Sequence, residues 1–102
     1  AARKGKILFT VLNSIKTKYE KNISYTLGNG LISAMLFKNP ETGKPDSLFP
    51  SKLTELCMQK GLLVAHTGRE SIKIAPPLTI NDEALLEGLD VLDEAIGEAL
   101  LL

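Results

Sequence analysis

Few side chains in this sequence are typed and spaced for chemistry, and one lysine stands apart from the rest. Lys73 sits in Ser71-Ile72-Lys73-Ile74-Ala75, where a strand would turn both isoleucines to one side and Lys73 to the other. Pro76-Pro77 then stops the strand and fixes the chain's direction, because neither proline can donate to a ladder. A cation held on a rigid strand opposite the core is placed to meet a carboxylate in a neighbouring cleft. The plainer reading is a lysine snorkelling from an open sheet face. The other candidates are weaker. Cys57 falls on the apolar side of a helix and reads as a core thiol, since a nucleophile wants exposure and a basic neighbour. His66 is the sole imidazole and has no second ligand at metal-binding spacing. Gly28-Asn29-Gly30 is too short for a dinucleotide fingerprint. Thr67-Gly68-Arg69 could cradle an anion on its N–H groups, or be an ordinary tight turn. Glu83 with Glu87, and Asp90 with Glu94, lie one helical turn apart, suiting a weakly held hard cation or, more simply, a solvated face. These patterns predict no catalytic residue and no metal set within the chain.

The elements that would position Lys73 can be read from periodicity. Leu8, Val11, Leu12, Ile15 and Tyr19 recur at the spacing of one helix face, predicting a helix that ends near Lys21-Asn22. Ile23, Tyr25 and Leu27 alternate with Ser24 and Thr26, as in a half-buried strand. The glycines at 28 and 30 turn the chain into a nearly continuous apolar run, residues 31–37, which suits a strand covered on both faces. A hairpin or a bulge at the glycines fits equally. Residues 38–47 read as a surface loop, and Pro50 and Ser51 open a second helix bearing Phe49, Leu53, Leu56 and Cys57, with Gly61 just past its end. Residues 62–65 form a short apolar strand, 66–70 a turn and 71–75 the strand of Lys73. Asn81 then caps a helix striped by Leu85, Leu89, Leu92, Ile96 and Leu100. The order α-β-β-α-β-β-α predicts an α+β fold with helices on one face of a small, mostly antiparallel sheet.

Length and charge narrow the function. The 102 residues suffice for one domain, and the longest apolar run is far too short to span a membrane. Twelve basic residues against twelve acidic ones argue against a nucleic-acid partner. That neutrality is polarised: residues 1–21 carry six bases and one acid, residues 81–102 seven acids and no base. Two solvated helix faces of opposite sign explain this, with some mutual attraction. A single cysteine fits a reducing compartment. The absence of an initiator Met and of a secretory leader after Ala1-Ala2-Arg3-Lys4 suggests a piece of a longer chain.

Gly61-Leu62-Leu63, Thr67-Gly68-Arg69-Glu70 and, most specifically, Ile72-Lys73-Ile74-Ala75-Pro76-Pro77-Leu78-Thr79-Ile80 resemble the end of class III pyridoxal-phosphate-dependent aminotransferases, the subgroup of ornithine, acetylornithine and 4-aminobutyrate aminotransferases. Gly28-Asn29-Gly30-Leu31-Ile32 looks like the family's glycine-x-glycine-leucine opening of a strand, and the first helix like the one leaving the large domain. The resemblance implies that residues 1–102 are a single C-terminal small domain of fold type I, forming one wall of the substrate cleft. The large domain would hold pyridoxal phosphate and its Schiff-base lysine, which no lysine here resembles. It also implies amino-group transfer between an amino acid or ω-amino acid and a 2-oxo acid, and a chain inactive alone. The parent would be a homodimer in the cytoplasm, or in the mitochondrial matrix of a eukaryote, with no nucleic-acid or membrane partner. Where Lys73 stands the family usually has an arginine, which binds a substrate carboxylate or pairs with a gating glutamate. Lysine keeps the charge and loses the two-pronged grip. Two other readings stand beside this one: a racemase or decarboxylase on the same scaffold, and a free-standing non-catalytic binding module. The free-standing module would show a closed, polar surface where a large domain would dock.

Overall fold

The structure, a computed structural model, describes residues 2–62, 64–77 and 79–102. It has the predicted element order, with three helices on one side of a four-stranded antiparallel sheet ordered β1-β2-β4-β3. Helix α1 covers Ala2–Lys18 and buries Leu8, Leu12 and Ile15. It stops before Lys21-Asn22, because the amides of Asn22 and Ile23 both turn back onto the carbonyl of Tyr19. Strands β1 (Ile23–Asn29) and β2 (Ile32–Phe37) form a hairpin closed at Gly30, whose φ of 64° a side chain would resist.

The first strand departs from its sequence pattern. A register shift between Ile23 and Tyr25 inserts one extra residue, and every side chain after it changes face. Ile23 is buried as predicted, but Thr26 then points inward, while Tyr25 and Leu27 stand outside at 61% and 54% exposure. The buried Thr26 hydroxyl is satisfied by Asn13 Oδ1 of α1, at 2.5 Å, so the inversion leaves no unpaired polar group at that position. Strand β2 differs too. Leu31 just before it and Met35 and Phe37 within it face the core, whereas Ile32 is 55% exposed on the side expected to be covered.

Helix α2 spans Leu48–Gln59, starting two residues before Pro50. Asp46 explains the early start: its Oδ1 accepts from the amides of Leu48 and Phe49, at 3.0 and 3.2 Å. Pro50 is accommodated within the first turn, where its missing N–H has no intrahelical partner to lose. The helix ends in a Schellman arrangement at Gly61 (φ 85°), with Leu62 N–H on the Cys57 carbonyl and Gly61 N–H on that of Met58. The strand expected at 62–65 is shorter and later, β3 over Ala65–His66, so His66 belongs to a strand and not to the turn. Of that predicted segment, Leu63 lies outside the described residues, as does Leu78.

Strand β4 (Ser71–Ile74) matches its pattern, with Ile72 and Ile74 buried and Lys73 exposed. Helix α3 (Asp82–Ala99) is capped as predicted, Asn81 Oδ1 accepting from Ala84 N–H at 2.7 Å. It packs across α1 and α2 through Leu85, Leu89, Leu92 and Ile96. Each fully buried leucine or isoleucine in this core contributes about 1.5–3 kcal/mol. The opposite charges of the termini meet: Arg3 pairs with Asp82, Lys18 with Asp93, and Lys60 of α2 with Glu94 and Glu98. Exposed pairs of this kind add only about 0–1 kcal/mol each. No helix among the described residues is long and apolar enough to cross a membrane.

Candidate functional site

Because the helices occupy one face of the sheet, the other face is where the chain presents chemistry. Register fixes what stands there. Leu27 of β1 pairs with Ala34 of β2, Ala34 with Lys73 of β4, and Lys73 with Ala65 of β3, so these four share one row on the open side. Tyr25, Leu36 and Ser71 make the next row. Lys73 is thus the one charged residue in these two rows, flanked by alanines on both neighbouring strands. With Leu27, Ile32, Ala34 and Thr67 it lines a shallow trough of about 310 Å³. Among the described residues Lys73 enters no salt bridge, and neither row contains an acid to neutralise it. An ammonium on an apolar floor with no local counter-ion attracts an anion brought by something else.

The remaining candidates are placed elsewhere. Cys57 is fully buried on α2, and that burial pushes its thiol up to about 11, partly offset by Lys60; the thiolate needed for nucleophilic chemistry is suppressed. His66 shares a 2.9 Å hydrogen bond with the Arg69 carbonyl across its turn. The Thr67-Gly68-Arg69 turn closes on itself: Thr67 N–H donates to the Ser71 carbonyl, and the Thr67 and Ser71 hydroxyls share a 2.8 Å bond. On α3, Glu94 is held by Lys60, and the described residues contain no group of three or more His, Cys, Asp or Glu able to hold a metal ion. Sequence reasoning located Lys73 but missed its apolar surroundings, since Tyr25 and Leu27 were assigned inward.

Residues 1–96 match the class III aminotransferase family, and the chain belongs to it. The mitochondrial acetylornithine aminotransferase of Candida glabrata is 31% identical over 96 residues, a stretch covering 94% of this chain and 20% of that protein. A diaminobutyrate–2-oxoglutarate transaminase of Nocardia farcinica is 36% identical over 73 residues, 70% of this chain and 15% of the relative. A solved transaminase from the marine bacterium Virgibacillus superposes with a TM-score of 0.83 at 26% identity, over 97% of this chain and 24% of that one. The chain therefore spans about a fifth to a quarter of the length of such proteins.

Class III aminotransferases depend on pyridoxal phosphate. The described residues do not fit that cofactor, which wants a lysine, an acid and several phosphate donors converging in one enclosed site. Lys73 has neither an acid nor an enclosure. The depression at residues 39–52 does bring Lys44 and Lys52 near Asp46, but Asp46 is committed to the first amides of α2 and Lys52 lies over the Phe49 ring. The groups such a cofactor wants do not converge at any one place among the described residues.

Proposed function

We propose that this chain is the C-terminal small domain of a pyridoxal-phosphate-dependent aminotransferase that moves an amino group between an amino acid or ω-amino acid and a 2-oxo acid. In this reading the chain forms one wall of the substrate cleft, and Lys73 meets the substrate carboxylate. The cofactor and the Schiff-base lysine belong to a large domain, and the 102-residue chain has no turnover of its own. The whole enzyme is a homodimer of the cytoplasm or the mitochondrial matrix, acting on small amino-acid substrates.

The observation that carries the proposal is the open sheet face. Leu27 and Ile32, both more than half exposed, line a trough with Lys73, which enters no salt bridge among the described residues. A free-standing module would need that surface closed and polar; a domain that docks against another needs it apolar. The coding sequence upstream of Ala1 is the direct test, and the reading requires a large domain with a Schiff-base lysine there. A start codon immediately before Ala1 sinks it. In the full-length protein, Leu27→Asp with Ile32→Asp should abolish transamination while the melting temperature of the isolated chain hardly moves. Retained activity would mean that nothing covers this face.

A further inference from the structure

Residues 75–77 and 79–81 belong to the stretch that carries the chain from β4, just past Lys73, into the first turn of α3. Pro76 and Pro77 have no N–H to donate, and the segment's described internal bond is Ile80 N–H to the Pro77 carbonyl, 3.0 Å. Two polar side chains reach it from the first turn of α1. Lys4 Nζ donates to the Ile80 carbonyl, and the Arg3 guanidinium closes on both oxygens of Asp82, at 2.6 and 3.1 Å. Two consecutive side chains thus grip the residues on either side of Asn81, the cap of α3. Ile80 packs on the core below. The fork holds the Asp82 carboxyl below its usual range, chiefly through the hydrogen bonds.

We propose that Arg3 and Lys4 are positioning residues: they staple the start of α1 to the segment leaving β4, so that the orientation of α1 sets where Lys73 is presented. This rests on the reading of Lys73 as the substrate-facing cation. The two prolines stiffen the segment between staple and strand, and a planar Arg–carboxylate fork fixes direction as well as distance.

The isolated chain tests the coupling. In isotope-labelled chain, Arg3→Ala with Lys4→Met is expected to move the amide resonances of Lys73 and Ile74 together with those of residues 80–84. Arg3→Lys, which keeps the charge and loses the fork, should move them less. Changes that stop short of Ile74 overturn the staple. In the full-length enzyme the double variant should raise KM roughly two- to fivefold for a carboxylate-bearing amino donor, the loss expected of one exposed bidentate pair. The KM for a simple alkylamine donor and both kcat values should stay put, whereas an equal rise for both donors marks a merely structural role and overturns the proposal. Should the double variant not fold, Asp82→Asn, which weakens the fork alone, carries the same expectation. Lys73→Ala separates the two possible failures. If it leaves the carboxylate donor's KM unchanged, the cleft reading falls; if it raises that KM while the Arg3 and Lys4 changes do not, only the staple falls.

Discussion

Lys73 is flanked by Ala34 on one neighbouring strand and Ala65 on the other, so no side chain in its row grips its stem. It offers one mobile point charge where an arginine would offer a planar fork. On the proposed reading, Lys73→Ala in the full-length enzyme should raise KM for carboxylate substrates by about 1–3 kcal/mol of lost charged hydrogen bonding. Unchanged kinetics across several such substrates would remove it from the cleft. Cys57 has a different signature. Its thiol is raised from 9.0 to about 11 in the fold, so the folded state holds that proton more tightly than the unfolded chain does. The stability linked to it is complete below pH 9 and is lost as the pH climbs towards 11, on the order of 2–3 kcal/mol in all. Thermal melts between these pH values should therefore drop more steeply for the native chain than for Cys57→Ala. Parallel slopes would show that the thiol is not sealed from water.

At the scale of elements, α1 meets the β1–β2 hairpin through glycine. A Cβ at Gly5 would lie 2.6 Å from the Gly30 carbonyl oxygen, which is backbone and cannot swing aside. Gly5→Ala should push the helix off the hairpin and cost about 1–3 kcal/mol, although alanine is the better helix former. Chemical denaturation checks this, and a gain in stability would mean that the approach is looser than drawn. The elements were legible in the sequence where one local signal decided them. The period of three to four in α1 and α3, the Asn81 cap and the Gly61 stop all stand where the residue types placed them. They failed where a tertiary partner decided. Residues 23–27 keep a perfect alternation of residue types, yet the bulge flips their faces, and the Asn13 acceptor that makes an inward Thr26 tolerable sits on another element. The start of α2 was missed because Asp46, four residues before Pro50, binds the amides of Leu48 and Phe49 and begins the helix early. The site was half legible: Lys73 was visible in its own strand, whereas its apolar trough needs the pairing of three.

The molecule has two unlike sides, one a closed core under three helices, the other a sheet surface on which Lys73 stands among Leu27, Ile32 and Ala34. Net charge zero says nothing of this division; it hides a basic α1 and an acidic α3 that meet at Arg3–Asp82 and Lys18–Asp93. On the proposed reading, cofactor chemistry belongs to neither side. Mixed with pyridoxal phosphate, the chain should give only scattered adducts of its surface lysines and no amino-group transfer. One stoichiometric, lysine-specific adduct would place the cofactor site within these residues after all.

The extra residue near Ser24 has a consequence at the level of the gene. A missense change at Tyr25 or Leu27 edits the open face one side chain at a time. Loss of the single codon for Ser24 would remove the bulge yet keep the pairing from Tyr25 onward, because Tyr25 already stands opposite Leu36 beside the Ile23–Phe37 pair, so Tyr25 and Leu27 stay outside and Thr26 stays in. Loss of the Thr26 codon would instead close the strand without a bulge and set Tyr25 opposite the core-facing Met35, so the exposed surface depends on which codon is lost as well as on spelling. In a library covering residues 23–29, in-frame deletions at Ser24 should survive in the functional pool while those at Thr26 are lost.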